Sequence, residues 1–271
     1  PLTYHGPSIV LVHDTTIYRH PEWFSDRMIG RAFSTQWVVP RSIRNATYVV
    51  CVSKFTADDV SQRFRVDQAR LSVIPEAIEP LTSIRARPIE SPYLLCVGTI
   101  ELRKNIPMLC EAFVRWIEET SSPHRLVLLG KRGWRSDEIL ASIHVAQQHL
   151  GSDRIIELGY VPEADKWAWI QHADAVLEPS FEEGFGRPIV EAMGCGVPVI
   201  CSRGGALAEV GGEAVVYADA FDLSAWVRAI SVLANSIELR FSYQNAGRVR
   251  ARQFSWQEIY PQWESVIRSA F

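Results

Sequence analysis

The sequence of 271 residues lacks the features that mark several large classes of protein. Its 28 basic and 31 acidic residues leave a net charge of -3, too little for a field that would hold a nucleic acid. No apolar run approaches the roughly 18 residues of a membrane span, and the N-terminus lacks the basic start and long apolar stretch of a signal peptide. We therefore expect a cytoplasmic protein with no nucleic-acid partner.

Cysteine and glycine patterns exclude further classes. The five cysteines are odd in number and show no Cys-x-x-Cys spacing, which indicates a reducing compartment and buried, apolar cysteines. No Gly-x-Gly-x-x-Gly follows any predicted strand, so an NAD-dependent dehydrogenase is disfavoured. With 47% hydrophobic residues and 22% charged ones, the chain has the composition of an ordinary folded protein.

Six short apolar runs from residue 92 onward predict a parallel sheet. They cover residues 93–97, 125–129, 155–158, 175–177, 197–201 and 214–217. Segments with helical periodicity, such as 107–120 and 136–150, separate them, as in sheets covered by helices. Each run is too continuously apolar for a half-exposed strand, so we expect helices on both faces of the sheet.

The N-terminal part of the chain is organised differently. Residues 1–74 contain only three strand candidates, at 9–12, 48–52 and 71–74, too few for an independent doubly wound sheet. Residues 75–92 hold four prolines without an apolar period, which predicts a hinge between a first domain and a second domain at 93–253. Residues 254–271 have a helical pattern broken near Pro261, as in a helix that bends away to pack against the first domain.

Two carboxylates flank a glycine-rich loop that follows one of the strands. Glu183 precedes Gly184 and Gly186, and Glu191 lies in the predicted first turn of a helix in which Pro188 is well tolerated. N–H groups at a helix start favour hydroxyl oxygens and anions, and ligands of open α/β sheets bind at the carboxyl ends of the strands. We expect a sugar or ribose there. A tight turn with Glu191 complementing the helix dipole explains the same pattern without a ligand.

A cationic pair follows the predicted strand at 93–97. Arg103 and Lys104 lie in a second strand-to-helix loop, at the same edge of the sheet as the glycine-rich loop. An arginine can bind two phosphate oxygens at once and a lysine supplies a point charge, so a pyrophosphate is the natural partner. Such a pair on a loop is more often merely solvated, but its coincidence with the glycine-rich loop favours a functional role.

These elements together resemble a known family. The spacing of Glu183 and Glu191 matches the E-x7-E motif of retaining nucleotide-sugar glycosyltransferases with the GT-B fold, and the sequence around it is similar to glycosyltransferase family four. The LGKRGW and Val-His-Asp elements resemble the mannosyltransferase-like branch used in surface polysaccharide assembly. The similar segments, which run through most of the chain, are 12–14, 52–56, 97–105, 129–134, 157–162 and 172–181.

The resemblance implies a fold: an α/β protein of the GT-B type with two Rossmann-like domains of parallel sheet. It also implies transfer of a hexose, with mannose from GDP-mannose as the leading guess, to a saccharide or lipid-linked saccharide. Such enzymes retain the anomeric configuration and need no metal or cofactor beyond the nucleotide-sugar donor. The chain has no Asp-x-Asp pair, the usual metal-holding element of the other large glycosyltransferase fold.

The resemblance also assigns residues to the donor. It implies that Glu191 holds the ribose and that Glu183, with the amides of Phe185 and Gly186, holds the donor sugar. The other implied donor-binding positions are Gly98, Thr99, Arg103, Lys104, Gly130, Lys131, Tyr160, Val161 and Gly184, with Gly130, Lys131, Tyr160 and Val161 lining the nucleobase.

The implied catalytic residues are His13, Glu183, Arg103 and Lys104. Arg103 and Lys104 neutralise the diphosphate as it leaves, a stabilisation that can be worth several kcal/mol in a water-excluded site. His13 matches the histidine near the anomeric carbon. A structural histidine that follows a strand is the alternative interpretation of that position.

The sequence departs from the family pattern at its N-terminus. Complete members have a full first Rossmann domain that starts with a glycine-rich loop, whereas only the last part of such a domain, from about residue 13 to 74, is recognisable here. We therefore expect the N-terminal domain to be incomplete, with roughly 90 to 110 residues missing or degenerate.

Residues 19–44 mix aromatic and basic side chains in a way that suits an anionic membrane surface. The aromatic residues are Trp23, Phe24, Phe33 and Trp37, and the arginines are Arg19, Arg27, Arg31, Arg41 and Arg44. A peripheral membrane contact at the inner face would suit a lipid-linked acceptor. The alternative is that the aromatics pack a core while the arginines are solvated.

Two further functions stay open on the sequence alone. A sugar-nucleotide epimerase or hydrolase of the same fold would convert the donor without an acceptor. A non-catalytic sugar-nucleotide-binding module is the other alternative, because the first domain is incomplete.

Overall fold

The structure contains two parallel β-sheets. The computed structural model describes residues 4, 6–24, 33–79 and 83–270. The strands are β1 (Ile9–Val12), β2 (Tyr48–Cys51), β3 (Leu71–Val73), β4 (Tyr93–Val97), β5 (Arg125–Leu129), β6 (Ile155–Gly159), β7 (Ala175–Glu178), β8 (Val199–Cys201) and β9 (Val216–Tyr217). The predicted α/β fold class is confirmed, with a small N-terminal sheet and a larger second sheet.

Helices connect the strands. They are α1 (Thr16–Arg19), α2 (Val39–Asn45), α3 (Lys54–Phe64), α4 (Ile106–Thr120), α5 (Asp137–Leu150), α6 (Glu163–Gln171), α7 (Arg187–Cys195), α8 (Leu207–Gly211), α9 (Leu223–Asn235), α10 (Ile237–Ala251) and α11 (Trp256–Ala270). A π-helical turn covers Phe33–Val38, and 3₁₀ turns cover Pro21–Trp23, Gln68–Arg70, Leu102–Lys104 and Arg252–Phe254.

The first sheet has the order β1-β2-β3, and all its pairs are parallel. Its core is formed by β2 and by the apolar side of α3, where Val49, Val60 and Phe64 are buried together. The N-cap of α3 is Ser53, whose side chain accepts a hydrogen bond from the N–H of Thr56. The carboxyl ends of β1 and β2 therefore lead into His13 and Ser53.

The second sheet has the order β6-β5-β4-β7-β8-β9, again all parallel. In β4, Tyr93, Leu95 and Val97 belong to one buried cluster and Leu94 and Cys96 to the other, so both faces are covered as predicted. The strand β8 begins at Val199 rather than at residue 197. Pro198 explains the shorter strand, because it has no N–H to donate.

The C-terminal segment differs from the prediction. The break expected near Pro261 is wrong, because α11 runs continuously through that residue. Ile259 and Val266 of α11 are buried against Val50 and Ile74 of the first sheet. Packing of this apolar face outweighs the single hydrogen bond that a proline removes from a helix.

The cysteines are free, and four of them, Cys51, Cys96, Cys110 and Cys201, are buried as expected. Cys195 is the exception, being only partly buried. It ends α7, where the chain turns at Gly196, so its side chain is less enclosed than those within the strands.

Candidate functional site

The turn that follows β4 positions the predicted cationic pair. Its residues Leu102–Lys104 form a 3₁₀ turn, and Asn105 takes a left-handed conformation with φ 51° before α4 begins. The Asn105 side chain donates to the carbonyl of Ala220 at 2.8 Å, which fixes the turn against the loop after β9. The cationic side chains are thereby directed across the end of β7.

Lys104 is buried between two carboxylates. Its Nζ lies 3.1 Å from both carboxylate oxygens of Glu178, the last residue of β7, and 2.8 Å from Oε1 of Glu183. Ser180 Oγ lies 2.5 Å from the Glu178 carboxylate and 2.9 Å from that of Glu183. The relative exposure of Lys104 is 4% and that of Glu178 is 0%, so the charges of this cluster are almost fully removed from water.

Arg103 is the more accessible of the two cations, with its side chain 22% exposed. It pairs with the Glu183 carboxylate through NH1, and its Nε lies 2.7 Å from Oε1 of Glu101. Arg103, Lys104 and Glu183 thus form a connected network, whereas Glu191, expected at the same place, does not contact either cation. The carboxylates of Glu101, Glu178 and Glu183 face the two cations. A further anion can therefore bind these cations only where one of the carboxylates moves away or is protonated.

Burial and charge shift the two carboxylates on Lys104 in different directions. Burial by itself raises the pKa of Glu183, but Lys104 and Arg103 outweigh it and hold that pKa at about 2. Burial raises the pKa of Glu178 above its usual value, because the attraction of Lys104 does not cancel it. Burial also disfavours the charged form of Lys104, yet both carboxylates together raise its pKa above the usual value. Glu183 is therefore the persistent anion, while Glu178 takes up a proton more readily.

The glycine-rich loop is held against the first sheet. A Cβ on Gly184 would lie 2.1 Å from the carbonyl oxygen of His13 and 2.6 Å from Cβ of Asp14. The hydroxyls of Ser53 and Thr56 donate to the carbonyl of Gly184, at 2.6 and 3.2 Å. This close approach excludes any side chain at residue 184 and joins the loop to both β1 and β2.

Free donors remain on the loop. The N–H groups of Phe185 and Gly186 have no hydrogen-bond partner among the residues that the structure describes. Gly186 has φ 102° and is the N-cap of α7, and Pro188 lies in the first turn as predicted. The start of α7 is therefore able to donate hydrogen bonds to a ligand oxygen.

Glu191 lies elsewhere than predicted. It is the fifth residue of α7, one turn beyond the helix start, because the helix begins only at Arg187. Its carboxylate is 2.9 Å from Nζ of Lys166 and 3.4 Å from NH2 of Arg187, and its side chain is only 3% exposed. Glu191 is thus held by cations other than Arg103 and Lys104, and too far along the helix for the dipole interaction to explain it.

His13 adjoins the loop through its backbone and extends its side chain into solvent. The imidazole is 62% exposed, and its Nδ1 lies 2.8 Å from Oε1 of Glu76. The other oxygen of Glu76 lies 3.4 Å from NH1 of Arg187, the residue that also contacts Glu191. His13 and Glu191 are therefore linked through Glu76 and Arg187.

The positions expected to line a nucleobase lie on neighbouring strands. Gly130 follows β5 and donates its N–H to the carbonyl of Gly159, at the end of β6 and directly before Tyr160. A Cβ on Gly130 would lie 1.8 Å from the carbonyl oxygen of Gly98, so the loops after β4 and β5 touch only because residue 130 is a glycine. Thr99, Lys131, Tyr160 and Val161 follow the ends of β4, β5 and β6, and Tyr160 is 78% exposed.

Sequence reasoning missed several side chains of the site. Glu178 holds Lys104, and Ser180 links the carboxylates of Glu178 and Glu183. Lys166 holds Glu191, and Arg19 contacts Glu182 at 2.9 Å across the cleft. A signal for Glu178 exists, because a carboxylate ends an otherwise apolar strand next to the glycine-rich loop. Lys166 lies in a segment that carries no motif, and Arg19 belongs to the aromatic and basic stretch at 19–44, which predicted a membrane contact and not this site. Only the folded chain brings these two residues to the site.

The described residues offer neither a cluster of metal ligands nor a membrane-spanning helix. In the part of the chain that the structure covers, no three His, Cys, Asp or Glu side chains are grouped so that they could hold a metal ion. None of the helices there is long and apolar enough to cross a membrane. Of the aromatic and basic stretch at 19–44, residues 25–32 and the side chain of Phe33 lie outside the described residues.

Comparison with known proteins agrees with the two-domain organisation of the fold. The profile described as Glycosyl transferases group 1 matches residues 81–250, and that described as Glycosyltransferase Family 4 matches residues 2–80. The chain is 31% identical over 281 residues to the O-antigen chain mannosyltransferase B of Escherichia coli, covering 96% of this chain and 72% of the relative. It is 28% identical to the D-inositol 3-phosphate glycosyltransferase of Xylanimonas cellulosilytica, covering 84% and 57%.

Two solved structures have the same fold. HepE of Anabaena, in complex with UDP and glucose, superposes with a TM-score of 0.79 at 19% identity, covering 97% of this chain and 72% of that one. Sucrose-phosphate synthase of Thermosynechococcus elongatus gives a TM-score of 0.78 at 23% identity, covering 96% and 67%. Together with the profile matches and the mannosyltransferase relative, they show that the chain belongs to glycosyltransferase family four, with the GT-B fold.

Proposed function

We propose that this chain transfers a hexose from a nucleoside diphosphate sugar to a saccharide or lipid-linked saccharide with retention of anomeric configuration. The observation that carries the proposal is the contact of Arg103 and Lys104 with Glu183 at the carboxyl ends of β4 and β7. The leading donor is GDP-mannose. It is supported by the names of relatives, an O-antigen chain mannosyltransferase RfbU of Salmonella typhimurium and an MMP alpha-(1->4)-mannosyltransferase of Mycolicibacterium hassiacum among them.

The proposed role of Arg103 and Lys104 is to bind the donor diphosphate. Negative charge builds on the phosphate oxygens as the bond to the sugar breaks, and fixed cations stabilise that charge best where water is excluded. Arg103 is the cation that the diphosphate reaches first, because Lys104 is almost fully buried. No metal ion takes part in this step, since the two cations supply the positive charge.

Glu183 changes partners in the proposed reaction. Without donor, its carboxylate pairs with Arg103 and Lys104. With donor, the carboxylate is released to accept hydrogen bonds from sugar hydroxyls, while the free amides of Phe185 and Gly186 donate to sugar oxygens. Glu178 keeps hold of Lys104 during this exchange, since both of its carboxylate oxygens contact Nζ of Lys104 directly. The lysine therefore stays aligned while its second carboxylate leaves.

The remaining donor contacts follow from the order of the strands. Glu191 accepts hydrogen bonds from the ribose, and the base lies over Gly130, Lys131, Tyr160 and Val161 at the ends of β5 and β6. His13 faces the anomeric carbon from the first domain. This role is supported by the closeness of the His13 backbone to Gly184 and by the exposure of its imidazole.

The domain boundaries are part of the proposal. Residues 1–74 form the acceptor-side domain, 75–92 the hinge and 93–253 the donor domain, and residues 254–271 return to the first domain. The burial of Ile259 and Val266 against the first sheet supports that return. Limited proteolysis is expected to cut first within 75–92.

A lipid-linked acceptor would place the protein at the cytoplasmic face of a membrane. Trp37, on the turn before α2, is 66% exposed, and it shares an open surface pocket with Arg41 and Arg44. An exposed tryptophan beside arginines suits an anionic lipid surface. Flotation with vesicles containing anionic lipid tests this contact, and the variant Trp37→Ala is expected to float less.

A transfer assay tests the proposed function. The chain is incubated with GDP-mannose, UDP-glucose and other nucleotide sugars in the presence of saccharide acceptors, with and without EDTA. Mass spectrometry is expected to detect a glycosylated acceptor unaffected by EDTA, and NMR of its anomeric proton to report retention. Donor conversion without acceptor would favour an epimerase or hydrolase, and donor binding without any conversion would favour a non-catalytic module.

A further inference from the structure

A row of aromatic rings crosses from the first domain to the second beside the candidate site. The ring centroids of His20 and Trp23 are 3.9 Å apart, those of Trp23 and Phe181 are 6.0 Å apart, and those of Phe181 and Phe221 are 5.0 Å apart. All three pairs are stacked. Phe221 ends the row and is 84% exposed, so it presents a ring to solvent. A large exposed ring supported from beneath by another ring is a preformed flat surface.

This surface borders an open pocket of about 450 Å³, a volume in the range of small-molecule sites. The pocket is lined by Phe181, Phe221, Arg203, Tyr217, Asp219 and Ser202, among others. It therefore combines flat apolar walls with charged and hydroxyl-bearing edges.

Arg203 is the unused polar group of the pocket. Its guanidinium lies over the ring of Tyr217, 3.8 Å from the centroid, and it has no hydrogen bond or ion pair with any residue that the structure describes. Stacking on an aromatic ring orients the guanidinium without occupying its N–H groups. Five donors are thus available at the edge of the pocket.

The pocket lies next to the loop that carries Glu183. Residues 183 and 205 form a parallel bridge, and the N–H of Ala206 donates to the carbonyl of Glu183 at 2.8 Å. The pocket residues follow β7, β8 and β9, whereas the positions proposed for the nucleobase follow β5 and β6 on the other side of β4. A donor that lies across β4 and β7, with its base towards β5 and β6, does not fill this pocket. The pocket then lies on the side of the donor opposite the base.

We infer that the pocket between Phe221 and Arg203 is a binding subsite for a pyranose ring of the acceptor saccharide. A pyranose has a face of C–H groups that packs on an aromatic ring and a rim of hydroxyls that needs donors and acceptors. Phe181 and Phe221 supply the ring surface, and Arg203 and Asp219 supply the partners for the hydroxyls. The inference rests on the proposed transferase function, since it is the acceptor that this subsite positions.

A phosphate-free sugar tests the subsite separately from donor binding. Saturation-transfer difference NMR with methyl α-mannobioside, titrated against the whole chain, gives its Kd. We expect binding by the parent protein and about a tenfold weaker Kd in Phe221→Ala, the loss of one aromatic contact. Arg203→Gln is expected to weaken binding as well. Phe241→Ala, which removes a phenylalanine that is 62% exposed on α10, is the matched control and is expected to change nothing.

Thermal shifts on adding GDP or UDP to the same variants distinguish a failure of the subsite from a failure of the proposed transferase function. We expect these shifts to be equal in the parent, Phe221→Ala and Phe241→Ala. The subsite is overturned if the parent does not bind the mannobioside, if Phe221→Ala binds it as tightly as the parent, or if guanosine or uridine displaces it from the pocket. Absence of any nucleotide shift in the parent would instead contradict the proposed transferase function.

Discussion

Lys104 and Glu178 are joined by two contacts of 3.1 Å at the carboxyl-end edge of the second sheet, where both side chains are almost fully buried. Lys104 belongs to the loop after β4, and Glu178 ends β7. The pair therefore joins the two strands around which an α/β crevice is built. A ligand that binds Arg103 and Glu183 therefore lies next to Lys104, whose position is fixed by Glu178.

The first prediction concerns the stability of this pair. Lys104→Met leaves Glu178 buried without its cation, which is expected to cost about 3–5 kcal/mol of unfolding free energy. The double variant Lys104→Met, Glu178→Leu removes both charges and is expected to be more stable than Lys104→Met alone. Urea unfolding of the parent, Lys104→Met, Glu178→Leu and the double variant gives the coupling energy between the two side chains. Strictly additive losses would contradict the pairing.

Acid stability gives a second prediction. The pKa of Glu183 is held at about 2 against a usual value of 4.5, so its carboxylate stabilises the folded state above pH 4.5. That contribution, about 3 kcal/mol, is lost as the pH falls from 4.5 to about 2. Urea unfolding of the parent and of Glu183→Gln between pH 2 and 7 is expected to show a difference that shrinks in this window. Parallel curves would mean that Glu183 is not paired in the folded protein.

A third prediction addresses the joint between the two sheets. Gly184→Ala places a methyl group against the backbone of His13, and relief requires the loop or the first sheet to shift. We expect a lower thermal unfolding temperature and a loss of transfer activity. Gly159→Ala is the comparison, because a Cβ there meets nothing within 4 Å and suffers only from the backbone angle of φ 71°. Gly184 itself has no positive φ, so equal losses in both variants would show that the contact with His13 costs no more than the unfavourable backbone angle at residue 159.

A fourth prediction separates ribose from phosphate recognition. Glu191→Gln is expected to weaken binding of UDP or GDP by about tenfold, because a hydrogen bond to a charged group is lost. Binding of inorganic pyrophosphate, which has no ribose, is expected to be unchanged. Titration calorimetry measures both affinities. Glu163→Gln is the control, since Glu163 also contacts Lys166, at 2.8 Å, but its side chain is 67% exposed. A parallel loss of pyrophosphate binding would place Glu191 at the phosphates.

Much of the fold was predictable because its signals are local. Continuous apolar runs predicted β4 and β5 at the bounds that the structure has, and the order of strands and helices predicted parallel pairing. The shorter β8 and the unbroken α11 were not predicted. Both depend on neighbours: the pairing of β8 after Pro198, and the burial of Ile259 and Val266 beneath the first sheet.

The residues of the candidate site also divide into those with a local sequence signal and those whose role depends on distant neighbours. Glu183, Arg103 and Lys104 were found because their loops follow strands of one sheet, and such loops meet at one edge. The partners of Glu191 were not found, because Lys166 lies on α6 and nothing in its own segment distinguishes it from a solvated lysine. A carboxylate at the end of an apolar strand is a local signal for Glu178, but its partner Lys104 lies 74 residues earlier in the chain, and the pairing is visible only in the folded protein.

The central claim is that Arg103 and Lys104, gathered around Glu183, bind the diphosphate of the donor. Titration calorimetry of UDP and GDP against the parent, Arg103→Gln and Arg228→Gln tests it most directly, since Arg228 is an exposed arginine on α9 with its side chain 66% exposed. We expect a loss of affinity of about tenfold or more in Arg103→Gln and none in Arg228→Gln. Equal affinity of the parent and Arg103→Gln for both nucleotides would contradict it.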